Sequence, residues 1–324
     1  MNPPRTALLL SLLVNFSIAA AETGSRADHL TVQCTIKDIL GHPAFAGFSR
    51  LILPWDDRAY DENLPLSRIA SLLPYHTHVD PETVTNALNR MIDDAASGRK
   101  VFYGFYSEVQ MRQEPSRKHT GLFYFRGKPG APFAVICPGG GFSYVGSVHE
   151  GFPYAQAISK RGYNAFVLKY RVGQGGRPAT EDLAAAVSYI FRNAAELQVA
   201  TSSYSLWGSS AGARMAAAIG SHGAETYGGS PSPKPATVVM AYTAHSDHSS
   251  AEPPTFVVVG EQDAIAPPAS MKNRVDALRK SVATVEYRKY KSLGHGFGIG
   301  KGTSAEGWIL DAVRFWETSM GRTP

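Results

Sequence analysis

Three residues of this chain have the types and the order that nucleophilic catalysis needs. Ser210 is the centre of Gly208-Ser209-Ser210-Ala211-Gly212, a Gly-x-Ser-x-Gly. The stretch before it, Tyr204–Trp207, reads as a strand, and the alanine-rich stretch after it, Ala213–Gly220, reads as a helix. A serine on such a strand–turn–helix junction has its hydroxyl pushed out at the carboxyl end of a sheet. The glycines suit that turn, because a Cβ at Gly208 or Gly212 would collide with the neighbouring strand or helix. An ordinary Gly/Ser turn is the competing reading in a chain with 31 glycines.

A neutral hydroxyl is a poor nucleophile. It needs a base within hydrogen-bond reach, and the base needs a third group to hold its tautomer. After a serine elbow the expected chain order is Ser, then Asp or Glu, then His. Asp263 follows the apolar run Thr255–Val259 through Gly260-Glu261-Gln262, and His295 lies in Gly294-His295-Gly296-Phe297-Gly298 after the run Thr284–Tyr290. Both stand past the carboxyl end of a strand, where the reactive groups of open α/β sheets gather. Asp247, in His245-Ser246-Asp247-His248, competes for the acid's place, and that loop reads as lying near the pocket mouth. Acyl transfer also needs amide donors for an oxyanion. The amide of Ala211 supplies one, and Gly139-Gly140-Gly141, past the run Phe133–Cys137, can turn others toward the pocket. A phosphate loop is excluded there, since no Gly-Lys-Ser/Thr and no Gly-x-Gly-x-x-Gly follows.

The elements that must carry these residues begin at Val101. Strands are expected at Val101–Tyr106, Thr120–Phe125, Phe133–Cys137, Asn164–Tyr170, Tyr204–Trp207, Thr237–Ala241, Thr255–Val259 and Thr284–Tyr290. Helices are expected at Gly151–Arg161, Thr180–Ala195 (Thr180 as cap), Ala269–Ser281 and Ser304–Met320. Strands alternating with helices of this length make an α/β fold: a doubly wound, mostly parallel sheet with helices on both faces. Glu150 reads as a cap for the helix at Gly151. Tyr144 reads equally as pocket lining or as structure.

Residues 22–98 differ. Pro54, Pro65, Pro74 and Pro81 break them into short pieces. Leu51-Ile52-Leu53-Pro54 reads as a brief strand. Pro81–Ala96 reads as one helix, capped by Asp80, with Val84, Leu88 and Ile92 on one face. This is an N-terminal extension packed on a catalytic domain at 99–324. His76-Thr77-His78 with Asp80 reads as a polar loop rather than a metal site, because His-x-His alone fixes no geometry.

Residues 1–21 carry one charge, Arg5, then an apolar run ending in Ala19-Ala20-Ala21. That is a signal-peptide pattern cleaved near Ala21/Glu22, with a short membrane anchor as the alternative. It implies a secreted or periplasmic protein, without a membrane anchor after cleavage. Export would allow Cys34 and Cys137 to pair, although Cys137 also reads as a small buried apolar residue. A net charge of +5 spread along the chain, with no basic run, gives no reason to invoke nucleic acid.

Pro138-Gly139-Gly140-Gly141-Phe142, Gly208-Ser209-Ser210-Ala211-Gly212, Gly260-Glu261-Gln262-Asp263 and Gly294-His295-Gly296-Phe297 together resemble the α/β-hydrolase superfamily. The chain looks like its esterase/lipase branch, with hormone-sensitive-lipase-like and acetylxylan or feruloyl esterase-like enzymes, over about residues 100–320. The resemblance implies Ser210 as nucleophile, His295 as base, Asp263 as acid, and the amides of Gly140, Gly141 and Ala211 as the oxyanion site, with no metal or organic cofactor. Pro138 stands where the family's common His-Gly-Gly-Gly has histidine. This shifts the likeness toward acetylxylan-esterase-like members, which often carry Pro-Gly-Gly-Gly. The expected activity is hydrolysis of small-molecule or carbohydrate esters with short acyl groups. A serine peptidase of the same fold, or a non-catalytic hydrolase-like binding protein, are the alternatives.

Overall fold

The apolar runs pair into one eight-stranded sheet. The computed structural model describes Met1, residues 28–281 and residues 284–321. Met1 apart, the leader and its cleavage position at Ala21/Glu22 lie outside the described residues. The strands are β1 (Phe102–Tyr103), β2 (Gly121–Phe125), β3 (Pro132–Cys137), β4 (Asn164–Lys169), β5 (Ala200–Ser209), β6 (Thr237–Ala241), β7 (Thr255–Gly260) and β8 (Val285–Tyr290). They lie in the order β1-β2-β4-β3-β5-β6-β7-β8. β2 runs antiparallel to β1 and β4, and every pair from β4 to β8 is parallel. This is the doubly wound, mostly parallel α/β sheet expected from the sequence.

Side-chain alternation divides the core into two layers. In β3, Ala134 and Ile136 join one cluster, while Phe133, Val135 and Cys137 join the other. Successive side chains of a strand face opposite ways, so a run apolar at every position needs cover on both sides. Six longer helices supply much of that cover: α1 (Pro81–Ala96), α2 (Phe152–Lys160), α3 (Gly176–Arg192), α4 (Ala211–His222), α5 (Pro268–Lys280) and α6 (Trp308–Met320). Buried side chains of α1, α2 and α6 fill the first layer, and those of α3, α4 and α5 fill the second. Pairing of β3 with β5 sets Cys137 beside Gly208, so the loop after β3 emerges next to the turn after β5.

The extension belongs to the first layer. Leu30, Ile36, Phe45, Leu66 and Ile69 pack with Ile136 and Trp308 in one continuous cluster. Helix α1 forms as read. The Asp80 carboxylate accepts from the Thr83 amide at 3.2 Å, and Val84, Leu88 and Ile92 are buried. Leu51–Pro54 is not a strand: Ser49–Ile52 is a helical turn. A four-residue apolar run does not distinguish the two periods, and the carbonyls of Leu53 and Pro54 instead accept from the buried Lys169 ammonium at 3.1 and 3.3 Å.

Some boundaries also move. Helix α3 starts at Gly176, so Thr180 is inside it and donates its hydroxyl to the Gly176 carbonyl at 2.7 Å instead of capping. Ser304 precedes α6, which begins only at Trp308 after the left-handed Gly307. Only Phe102–Tyr103 of the first expected strand is paired. Cys34 and Cys137 are unbridged, and Cys137 is the buried small residue of the second layer. Among the described residues, no helix is long and apolar enough to cross a membrane.

Candidate active site

β5 ends and α4 begins across one residue, Ser210. Its φ of 50° and ψ of −117° lie outside the conformations a non-glycine residue prefers. Such a turn persists only when its surroundings hold it, and here the Ser210 amide donates to the Ala241 carbonyl of β6 at 2.8 Å. The two glycines are required as the sequence implied. A Cβ on Gly212 would strike the Cys137 carbonyl of β3, and one on Gly208 would strike the start of α4. Ser209 is more than a spacer, for its buried hydroxyl donates to the Tyr154 hydroxyl at 3.2 Å.

His295 comes to this serine from the loop after β8. Its Nε2 stands 2.9 Å from Ser210 Oγ, and its Nδ1 stands 2.8 Å from Asp263 Oδ2. Asp263 is fixed by its other oxygen, which accepts from the amides of Ile265 and Ala266 at 2.9 and 2.7 Å. One carboxylate therefore closes a local turn and orients the imidazole together. Asp263 and His295 are buried. Asp247, the competing acid, bonds His222 at 2.8 Å instead, and lines the pocket in a loop with His245 and Ser246.

The glycine loop borders the same pocket. Gly141, Phe142, Ser210, Ala211 and His295 line a cavity of about 470 Å³. Gly140 lies one residue back, with φ of 134°, its carbonyl accepting the amides of Ser143 and Tyr144 at 3.0 and 3.2 Å. Among the described residues, no protein acceptor engages the amides of Gly140, Gly141 or Ala211. Ala211 is also the first residue of α4, whose positive end faces any charge developing beside Ser210.

Beneath the loop is a network that sequence reasoning missed. Glu150 does not cap α2. It sits in the turn Ser147–Gly151, fully buried, with Oε2 accepting from the Gly139 amide at 2.6 Å. Its Oε1 accepts from the Tyr242 hydroxyl at 2.7 Å and from His76 Nε2 at 3.1 Å. Gly139 is wedged tightly: a Cβ there would lie 2.8 Å from Glu150 Oε2 and 3.0 Å from the Ser210 Cβ. Burial alone would raise the Glu150 carboxyl. The imidazoles of His76 and His149 and the hydrogen bonds from His76 and Tyr242 outweigh it and hold the group down at about 2. His149 is pushed down to about 4, first by burial and then by His76, and its Nε2 donates to the Gly296 carbonyl at 3.0 Å.

His76 comes from the extension, so within His76-Thr77-His78 the first two residues form a strut and not merely a polar loop. His76 Nδ1 meets the Tyr144 hydroxyl at 2.9 Å, and that hydroxyl accepts from the Tyr75 amide at 3.1 Å. Tyr144 is thus structural and fully buried. Thr77 reaches the histidine loop, its hydroxyl donating to the His295 carbonyl at 2.8 Å and its amide to the Gly296 carbonyl at 2.9 Å. The extension therefore braces two loops of the site at once. The available signal was that Glu150 is the one acidic residue between Glu114 and Glu181. Its partners are remote in sequence. Among the described residues, no group of three or more His, Cys, Asp or Glu side chains is placed to hold a metal.

Two family models match parts of the chain: BD-FAE over residues 125–234, and the prolyl oligopeptidase family over residues 224–323. No curated protein matches. Among solved structures, the acetyl ester-xyloside bifunctional hydrolase of Caldicellulosiruptor lactoaceticus is similar with a TM-score of 0.58 and 19% identity, over 67% of this chain and 95% of that one. MGS-M1, an α/β hydrolase from a Medee basin deep-sea metagenome library, aligns with a TM-score of 0.56 and 22% identity, over 68% of this chain and 97% of that one. The carboxylesterase Cest-2923 of Lactobacillus plantarum WCFS1 aligns with a TM-score of 0.54 and 21% identity, over 61% and 92%.

Proposed function

We propose that this chain, an α/β hydrolase resembling the esterase branch of that fold, is a secreted or periplasmic serine carboxylic-ester hydrolase acting on short acyl esters, acetylated carbohydrate among them. The observation that carries the reading is the hydrogen-bonded series Asp263–His295–Ser210, which ends at a half-buried hydroxyl on a strained elbow lining the cavity. In this reading His295 Nε2 takes the Ser210 proton as Oγ attacks the ester carbonyl. Asp263 keeps the ring in the tautomer with Nδ1 protonated and stabilises the imidazolium. The carbonyl oxygen, becoming an oxyanion, is received by the amides of Ala211 and the glycine loop, each worth roughly 3–4 kcal/mol of barrier. His295 then protonates the leaving alcohol. Water, activated by the same ring, releases the acid and restores Ser210.

A small pocket with Phe142, Ile265 and Ala266 at its walls suits a short acyl group or a sugar better than a long chain. A series of p-nitrophenyl esters of increasing length, set beside acetylated xylose and a feruloyl ester, tests this. The expected result is the highest kcat/KM at two to four acyl carbons, and a steady rise toward long chains would overturn it. The prolyl oligopeptidase match over residues 224–323 supports a second reading, a peptidase. Matched ester and amide substrates separate the two, since a peptidase turns over the amide member.

A further inference from the structure

The pocket beside Ser210 carries a cation that the reaction just described does not use. Arg214 stands in the first turn of α4, four residues after Ser210. It is exposed and lines the same cavity as Ser210 and His295. Its guanidinium carbon stands 6.0 Å from the centre of the Phe142 ring, in the glycine loop. Among the described residues it has no carboxylate within ion-pair distance and no hydrogen-bond acceptor. By contrast Arg274, packed near this wall, is buried and paired with Glu252 at 3.0 Å. The only acidic residue among the described residues of the lining is Asp247, whose Oδ2 is engaged by His222 at 2.8 Å. His245, also in the lining, feels both Arg274 and Arg214. Burial first, and then these two charges, push its ring down to about 4, so it adds no positive charge of its own at neutral pH.

We propose that Arg214 is the specificity-determining residue for a negatively charged substrate: an ester whose acyl or alcohol part bears a carboxylate about one helical turn from the scissile carbonyl. The proposal rests on the serine-esterase reading and adds the substrate's charge to it. A guanidinium is suited to this task because its planar fork receives both oxygens of a carboxylate and stays charged at every working pH. The Phe142 ring lies at the outer reach of a cation–π attraction to it, 6.0 Å away. The position favours binding near the ester carbonyl over steering from a distance, since the cation is on the same helix that presents the nucleophile.

Two substrate pairs test the proposal. On the alcohol side, 4-acetoxybenzoate is compared with the neutral 4-acetoxybenzamide. On the acyl side, the 4-nitrophenyl monoester of adipic acid is compared with the 4-nitrophenyl ester of its monoamide. In each pair the ratio of kcat/KM, anionic over neutral, is measured for the wild type, Arg214→Lys, Arg214→Gln and Arg214→Glu. Comparing the ratio between enzymes cancels the intrinsic reactivity of the two esters. In at least one pair the ratio should fall about tenfold in Arg214→Gln, fall less in Arg214→Lys and fall furthest in Arg214→Glu, because a charge-assisted pair in a half-open pocket is worth about one decade. Raising the salt from about 0.01 M to about 1 M should shrink the wild-type ratio, since the Debye length drops from about 30 Å to about 3 Å. Hydrolysis of the neutral members with ratios unchanged by all three substitutions overturns the anion proposal and leaves the esterase reading standing. Absence of hydrolysis of every member overturns the esterase reading, and this proposal with it.

Discussion

Glu150→Gln removes one charge from beneath the glycine loop and little else, so its effect can be worked from the contacts. The carboxylate accepts from three donors, the Gly139 amide, the Tyr242 hydroxyl and His76 Nε2. An amide of the same shape has one oxygen. If that oxygen keeps Tyr242 and His76, the NH2 group faces the Gly139 amide, donor against donor. If it turns toward Gly139, the Tyr242 hydroxyl and His76 must find other acceptors. Tyr242 can turn to Tyr154, 2.9 Å away, but Tyr144 already holds the other face of His76. Either way at least one hydrogen bond to a charged group is lost, about 1.5–3 kcal/mol. Gly139 lies between this carboxylate and Ser210, so the loss falls on the loop whose amides receive the oxyanion in the proposed mechanism. Displacing one oxyanion donor costs about 100- to 1000-fold in kcat, and a loosened loop costs part of that. The expectation is a 10- to 100-fold lower kcat on p-nitrophenyl acetate, KM changed less than threefold, and a melting temperature lowered by a few degrees. Assays are run well below that temperature so that unfolding does not contribute. A Glu150→Gln enzyme with wild-type kcat would refute the claim that this carboxylate positions the loop.

Asp263→Asn should keep the fold, since the amide oxygen can still accept from Ile265 and Ala266, yet lower kcat by about 10³–10⁴ as the imidazole loses its tautomer and counter-charge; full steady-state kinetics of the purified variant check this. Stability should fall on acidification from about pH 6.5 to about 4. The folded His149 sits near 4 while the unfolded imidazole titrates near its ordinary value, so below pH 6.5 only the unfolded state takes the proton. That difference is worth roughly 3 kcal/mol. Urea unfolding across this range should show the slope, and His149→Gln should reduce it, leaving the part that belongs to His245, which burial also holds at about 4. Glu150 adds a loss below about pH 4.5, where the unfolded carboxyl protonates while the folded one stays charged down to about 2. Thr77→Val removes the hydroxyl bond to the His295 carbonyl and should lower kcat about threefold to tenfold, with the stability loss close to 1 kcal/mol. N-terminal sequencing of exported protein should begin at Glu22, and retention of Arg5 would contradict the leader reading.

That Ser210, Asp263 and His295 come together was legible because each is announced by local sequence: a glycine-flanked serine, and an acid and a histidine each just past an apolar run. The sheet was legible for the same reason, since strands buried on both faces are continuous apolar runs. Element ends were less so. Thr180 looked like a cap because Gly175, Gly176 and Pro178 precede it, yet Gly175 is itself the N-cap and Gly176 and Pro178 lie in the first turn of α3. Leu51–Leu53 is apolar because it is buried, and burial does not distinguish a helical turn from a strand. The Glu150 network stayed hidden because its members, His76, Gly139 and Tyr242, come from separate parts of the chain. An acidic residue before a helix has a sufficient local explanation in the dipole, and only the fold shows that this one points inward. The extension's part in bracing the site was hidden likewise, since a Pro-broken segment carries no periodic signal of what it packs against.

The most direct test of the account is covalent labelling of the serine itself. A fluorophosphonate probe should add one phosphonyl group to the tryptic peptide containing Ser210, and ester hydrolysis should disappear in step with labelling. Ser210→Ala should neither label nor hydrolyse while its circular dichroism stays that of the wild type. Labelling at another residue, or ester hydrolysis persisting in a folded Ser210→Ala, would contradict the account.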